Sequence, residues 1–189
     1  GLIQNLLLYG SPGTGKTSTL FILSKEHPHL YINASEERGI EIIREKIKKF
    51  CSSSSLIDGK ESLKCVILDE VDGATEDFYK ALRAVMEKYA GVARFIASAN
   101  YIQKVPEAIQ SRFNKISFDP INDQEEEYIL KQYRERIGAI LSAAKIEYSE
   151  DVLNRLIDAD FPDLRSTVNK VQSVYLRGVK SLDDTSMRE

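Results

Sequence analysis

Gly10-Ser11-Pro12-Gly13-Thr14-Gly15-Lys16-Thr17 is the stretch that decides the fold. It satisfies G-x-x-x-x-G-K-[ST], the pattern of a loop that wraps phosphate. Its flanks supply the required context. Asn5-Leu6-Leu7-Leu8-Tyr9 is a short apolar run suited to a buried strand, and Ser18 to Lys25 carries helical periodicity. Glycines let backbone amides converge on phosphate oxygens without side-chain obstruction, and a helix N-terminus adds partial positive charge. Gly10 through Ser18 are therefore the expected binding residues for a nucleoside triphosphate. Lys16 is expected to reach the β/γ-phosphates and the Thr17 hydroxyl to ligate Mg²⁺. The plain alternative, an ordinary Gly/Pro turn, does not account for the Lys-Thr pair.

Outward from the loop, apolar runs alternate with amphipathic segments, the pattern of a parallel sheet with crossover helices. Strands are predicted at Leu6–Tyr9, Leu30–Asn33, Cys65–Leu68, Arg94–Ser98 and Lys115–Phe118. Helices are predicted at Thr17–Lys25, Glu37–Phe50, Glu76–Tyr89 and Pro106–Ser111. Ser52-Ser53-Ser54-Ser55 and Asp58-Gly59 mark a loop over residues 51–62. After Asp119-Pro120 only helical periodicity remains, over Asp123–Ala144, Glu150–Ala159 and Leu164–Arg177. The expected organisation is an α/β core over residues 1–119, a small all-helical lid over 120–180 and a tail over 181–189. Periodicity already fades from residue 178. Both ends read as cut, so a longer natural protein is expected.

Composition bounds the partners. At 189 residues, 42% hydrophobic and 29% charged, the chain fits an ordinary globular protein. A net charge of −3 gives no general affinity for polyanions, so contact with nucleic acid would need a local patch. Cys51 and Cys65 lack metal-ligand spacing and read as reduced thiols of a cytosolic compartment. His27 and His29 flank Pro28 at a predicted turn with no third ligand nearby. No apolar run approaches a membrane span.

Three further segments carry chemistry. Val66-Ile67-Leu68-Asp69-Glu70 is an apolar strand ending in two carboxylates. Asp69 is placed to hold the Mg²⁺ shell and Glu70 to orient and deprotonate an attacking water. Ser98-Ala99-Asn100 closes the next strand, where the Asn100 amide suits a γ-phosphate sensor or a plain turn residue. Arg112 follows a short helix and reads two ways: a surface charge favoured by the helix dipole, or an arginine finger acting in trans.

Together these residues resemble the AAA+ ATPases, and among them the sliding-clamp loaders, over nearly the whole chain. Gly10–Thr17 matches their Walker A motif and Val66–Glu70 their Walker B motif, with Asp-Glu-Val-Asp where many members have Asp-Glu-Ala-Asp. Ile32-Asn33-Ala34-Ser35-Glu36-Glu37-Arg38-Gly39-Ile40 is similar to a segment of replication factor C small subunits, as is the Ala81–Tyr89 helix. Gln110-Ser111-Arg112-Phe113 matches their arginine-finger motif, with Phe113 replacing the usual Cys. Phe161-Pro162-Asp163-Leu164-Arg165 is closer to the clamp-loader ATPase subunit of T4-like phages.

The resemblance implies roles that spacing cannot. Arg165 becomes a lid arginine reaching the γ-phosphate, and Arg112 acts in a neighbouring subunit's site. Asn33 occupies the position where related enzymes park the catalytic glutamate until DNA binds. Arg38, Lys80 and Arg83 fall in segments that grip duplex phosphates, although as a sequence pattern they also fit solvated helix faces. The implied protein is an ATPase that uses ATP and Mg²⁺. It works in a ring of clamp-loader subunits, with a sliding clamp and primer–template DNA, in a cytoplasm, a eukaryotic nucleus or a phage host. The alternatives are a repair, checkpoint or recombination AAA+ ATPase, or a nucleotide-gated scaffold that does not hydrolyse.

Overall fold

Cys65-Val66-Ile67-Leu68 is no more than 2% exposed at any residue, and it forms the heart of a strand, β5 (Lys64–Asp69). A strand buried on both faces belongs in the middle of a parallel sheet. The computed structural model describes residues 4–36, 40–53, 56–57, 60–61 and 63–183. Its sheet consists of β1 (Leu6–Tyr9), β2 (His29–Asn33), β5, β6 (Ala93–Ala99) and β7 (Asn114–Ser117). The order is β2-β5-β6-β1-β7, and every pairing is parallel. The predicted α/β class with a five-stranded parallel sheet is borne out. Within the segment read as loop, β3 (Leu56–Ile57) and β4 (Lys60–Glu61) pair antiparallel as a separate ribbon.

Alternation along each strand sorts side chains into two cores. Leu7, Val66, Leu68, Phe95 and Ala97 point to one side. There they meet Ile47 and Cys51 of α2 (Ile40–Ser52) and Phe78, Leu82, Val85 and Met86 of α3 (Glu76–Lys88). Leu8, Cys65, Ile67 and Ile96 point to the other, onto Leu20 of α1 (Lys16–Ser24). The result is helix, sheet and helix in three layers. α4 (Glu107–Gln110) is a single turn before β7.

The chain divides into two compact units. The first comprises residues up to Gly10 together with Lys16–Phe118, and the second Ser11–Gly15 with residues from Asp119 onward. In the second unit, α5 (Asp123–Ala143), α6 (Glu150–Asp160) and α7 (Leu164–Leu176) each begin at a side-chain cap. Asn122, Ser149 and Asp163 accept from amides three residues on, satisfying donors that a helix start leaves free. Ile137, Leu141, Leu156, Ile157, Val171 and Val174 form its core. α5 gives Ile137 and Leu141 to that core, whereas Tyr128 near its first turn stands 65% exposed.

The end of the second unit departs from the expected aperiodic tail. α7 closes in paired capping bonds, Gly178 N–H to Tyr175 O and Val179 N–H to Val174 O, with Gly178 at φ +71°. The chain then turns back and β9 (Ser181–Leu182) pairs with β8 (Glu147–Tyr148). Leu182, 3% exposed, is the reason: it completes the helical core.

A candidate nucleotide-binding site

β1 lies inside the sheet between β6 and β7, so the loop that follows it emerges at the carboxyl edge beside their ends. That edge is where open α/β sheets bind ligands. Gly10, at φ +138°, donates its N–H to Ala99 O at the end of β6. Gly13 and Gly15 sit at φ +76° and +94°, in the left-handed region that glycine enters without strain. A Cβ on Gly13 would also fall 1.6 Å from Asp163 Oδ1, within the second unit. The Thr14 hydroxyl donates to Ser11 O, and Ser11 N–H to Asp119 Oδ1. Pro12 and Ser18 are exposed. Lys16 is 6% exposed and its Nζ donates to Gly10 O at 2.8 Å.

Asp69 ends β5 only 5% exposed, yet its carboxylate is fully engaged by hydroxyls. Oδ1 accepts from Thr17 Oγ1 at 3.1 Å and from Ser98 Oγ of β6. Oδ2 accepts from the Tyr31 phenol of β2 at 3.1 Å. Burial, then the neighbouring Asp69 charge, push Tyr31 up to about 12, so it remains a donor at any ordinary pH. Thr17 and Asp69, both hard oxygen donors, suit Mg²⁺, which keeps waters and phosphate oxygens as its other ligands. Among the described residues no group of three or more His, Cys, Asp or Glu forms a metal cluster. Two protein oxygens with the rest from nucleotide and water is the arrangement that fits.

Glu70 follows at φ 54°, ψ 45°, a left-handed backbone that costs a non-glycine residue roughly 1–2 kcal/mol. Its N–H bonds to Ser98 Oγ and its carbonyl to Gly73 N–H, which hold the turn. Its carboxylate accepts from Ser35 Oγ at 2.9 Å. Asn33 does not bond Glu70 directly: its Oδ1 takes the Ser35 N–H and is the alternative acceptor for the Ser35 hydroxyl, and its Nδ2 donates to Glu36. Asn100 is fixed through its backbone, since Asp72 accepts from Asn100 N–H and Tyr101 N–H.

No bond joins Arg112, Lys80 or Arg83 to this cluster among the described residues. Arg112 lies just past the α4 turn and its Ser111 cap, bonded to Ala108 O and ion-paired to Glu87 of α3 at 2.6 Å. Phe113, in place of the motif's Cys, is 7% exposed in the core beneath. Arg165 is exposed in the first turn of α7, within the second unit. Lys80 and Arg83 are exposed on α3, with Lys80 paired to Asp77. Arg38 lies outside the described residues. Sequence reasoning missed Tyr31, Ser35 and Asp72, and saw Ser98 only as part of a strand end. Alternation along β2 places Tyr31 and Asn33 on one face, but only the register Asn33 to Asp69 shows what that face meets.

These features define a P-loop module of the α/β class, and residues 6–120 match the family described as "ATPase family associated with various cellular activities (AAA)". The chain belongs to that family. It is similar to Replication factor C subunit 5 of Arabidopsis thaliana, 34% identical over 97% of this chain and 50% of that protein. It is similar also to Replication factor C small subunit 2 of Pyrobaculum arsenaticum, 36% identical over 98% of this chain and 57% of that protein. The chain thus spans about half the length of these relatives. The RuvB Holliday junction branch migration motor of Thermotoga maritima superposes with a TM-score of 0.70 over 98% of this chain and 60% of that one. At 14% identity this likeness concerns the fold alone. The resemblance to clamp-loader subunits read from the motifs stands. Among the described residues no helix is long and apolar enough to cross a membrane.

Proposed function

We propose that this chain is the ATPase module, core plus helical lid, of a sliding-clamp loader subunit. The observation that carries the nucleotide reading is the Thr17 hydroxyl on Asp69, which joins the phosphate loop to the acidic strand end. Gly10–Ser18 would enclose the triphosphate, with Lys16 leaving Gly10 O for phosphate oxygens. Thr17 and Asp69 would hold Mg²⁺, which when bound neutralises developing phosphate charge. Glu70 orients the attacking water and takes its proton, while Asn100 and Arg165 report the γ-phosphate. Arg112 serves a neighbour's nucleotide, so turnover depends on assembly. Lys80, Arg83 and Arg38 contribute sequence-independent phosphate contacts.

The clamp-loading task is supported by relatives that match across almost this whole chain and are named as replication factor C subunits. ATP turnover of the full-length protein, assembled with its partner subunits, tests it. Stimulation by both a ring-shaped clamp and primed DNA is expected. Turnover indifferent to both removes the loader reading and leaves a general AAA ATPase.

A further inference from the structure

Asp69 has two carboxylate oxygens and three hydroxyl donors, and they are unequally shared. Thr17 and Ser98 both use Oδ1, so by themselves they leave the carboxylate free to swing about its Cβ–Cγ bond. Among the described residues only Tyr31 holds Oδ2. The parallel register makes this possible: Asn33 pairs with Asp69, and Tyr31, two residues earlier, shares its face. The phenol ring is itself braced. It stacks on Phe21 of α1 with centroids 5.3 Å apart and planes inclined by 22°, and His29 meets Phe21 edge-on. Tyr31 and Phe21 are 42% and 41% exposed, so burial of apolar area is a weak account of why two aromatics stand there. The hydroxyl has the specific partner.

We propose that Tyr31 is a positioning residue for magnesium: its hydroxyl fixes the second oxygen of Asp69, and hence the plane in which the carboxylate faces the metal shell. The inference rests on Thr17 and Asp69 being the metal-holding pair. A hydroxyl that donates its one proton to the carboxylate keeps its own lone pairs, so Thr17 can serve a cation and Asp69 at once. Tyr31 donates in the same manner from the other side, and its role is orientation alone. Outer hydrogen bonds of this kind typically govern metal affinity by about tenfold or more.

The test is a Mg²⁺ titration of the full-length protein with a fluorescent ATP analogue, reading the Mg²⁺ concentration at half-maximal binding. Tyr31→Phe keeps the ring and its stack and removes the hydroxyl. It is expected to raise the Mg²⁺ midpoint by about tenfold, with analogue affinity in EDTA and the melting temperature unchanged. Phe21→Leu loosens the ring but keeps the hydroxyl, and is expected to raise the midpoint less. Asp69→Asn is the reference. If it leaves the midpoint unmoved, the metal assignment itself fails. If Asp69→Asn moves the midpoint and Tyr31→Phe stays within about twofold of wild type, the role given to Tyr31 is wrong while the metal assignment survives.

Discussion

Ser35 Oγ stands 2.9 Å from Glu70 Oε2 and 2.8 Å from Asn33 Oδ1. A hydroxyl has one proton, so it donates to one of these acceptors at a time. Asn33 cannot rotate to resolve the competition, because its Oδ1 also takes the Ser35 N–H and its Nδ2 serves Glu36. Ser35 is therefore a two-way tether between the β2 loop and the carboxylate proposed to activate water. Ser35→Ala releases Glu70. Basal ATP turnover of the full-length protein should rise by about two- to tenfold, the worth of one such hydrogen bond. A fall would mean that Ser35 holds Glu70 in its productive position.

Arg112 and Glu87 give a second, separable prediction. Their ion pair is short but lies at the surface, with the Glu87 side chain 63% exposed. Exposed pairs contribute about 0–1 kcal/mol, so Arg112→Ala should leave the melting temperature nearly unchanged. ATP affinity of the isolated subunit should also hold. Turnover in the assembled complex should drop by about 10³-fold if Arg112 acts as a finger in trans. Wild-type turnover of the mutant complex with clamp and DNA present would remove Arg112 from the site.

Lys64 is a structural cation that no motif announces. It is 4% exposed at the start of β5, and its Nζ donates to the carbonyls of Phe50, Cys51 and Ser53. The Phe50 and Cys51 carbonyls lie in the last turn of α2 and that of Ser53 just past it, where cations offset the dipole and free acceptors need donors. Lys64→Met keeps the length of the stem and strands the acceptors. The expected cost is about 2–3 kcal/mol, read as a lower urea midpoint with unchanged slope. A midpoint equal to wild type would show that water replaces the ammonium.

What could be read from the sequence followed from local signals. β1, β2, β5 and β6 each have an apolar run, whereas β7 (Asn-Lys-Ile-Ser) offers only Ile116; the loop motif is contiguous, so Lys16 and Thr17 were findable. Asp69 and Glu70 were legible because they end such a run. Strand order was not legible, since the pairing of β2 with β5 joins segments with a helix and a ribbon between them. Tyr31, Ser35 and Asp72 act through that long-range placement and have no spacing signature. The β8–β9 pair escaped for another reason: two-residue strands carry no period to detect.

Buried weak acids set the alkaline limit. Burial pushes the Cys65 thiol from 9.0 up to about 11, and burial with nearby carboxylates pushes Tyr79 from 10.0 up to about 12. Tyr79 also donates to Val71 O at 2.5 Å in the turn after β5, so its proton is part of the fold around Asp69 and Glu70. Each group binds its proton more tightly folded than unfolded. Their stabilisation is full below pH 9 and is lost as pH rises through about 9–12. Urea midpoints should therefore be flat with respect to these groups up to pH 9 and fall beyond it. Tyr79→Phe should remove the portion of the loss above pH 10 while lowering stability at neutral pH. The same burial keeps Cys65 a thiol, the unreactive form. A chromogenic disulfide reagent should label native protein slowly at pH 8, and the rate should rise sharply in denaturant. Rapid labelling of the native chain would show that the β5 core opens far more often than its packing implies.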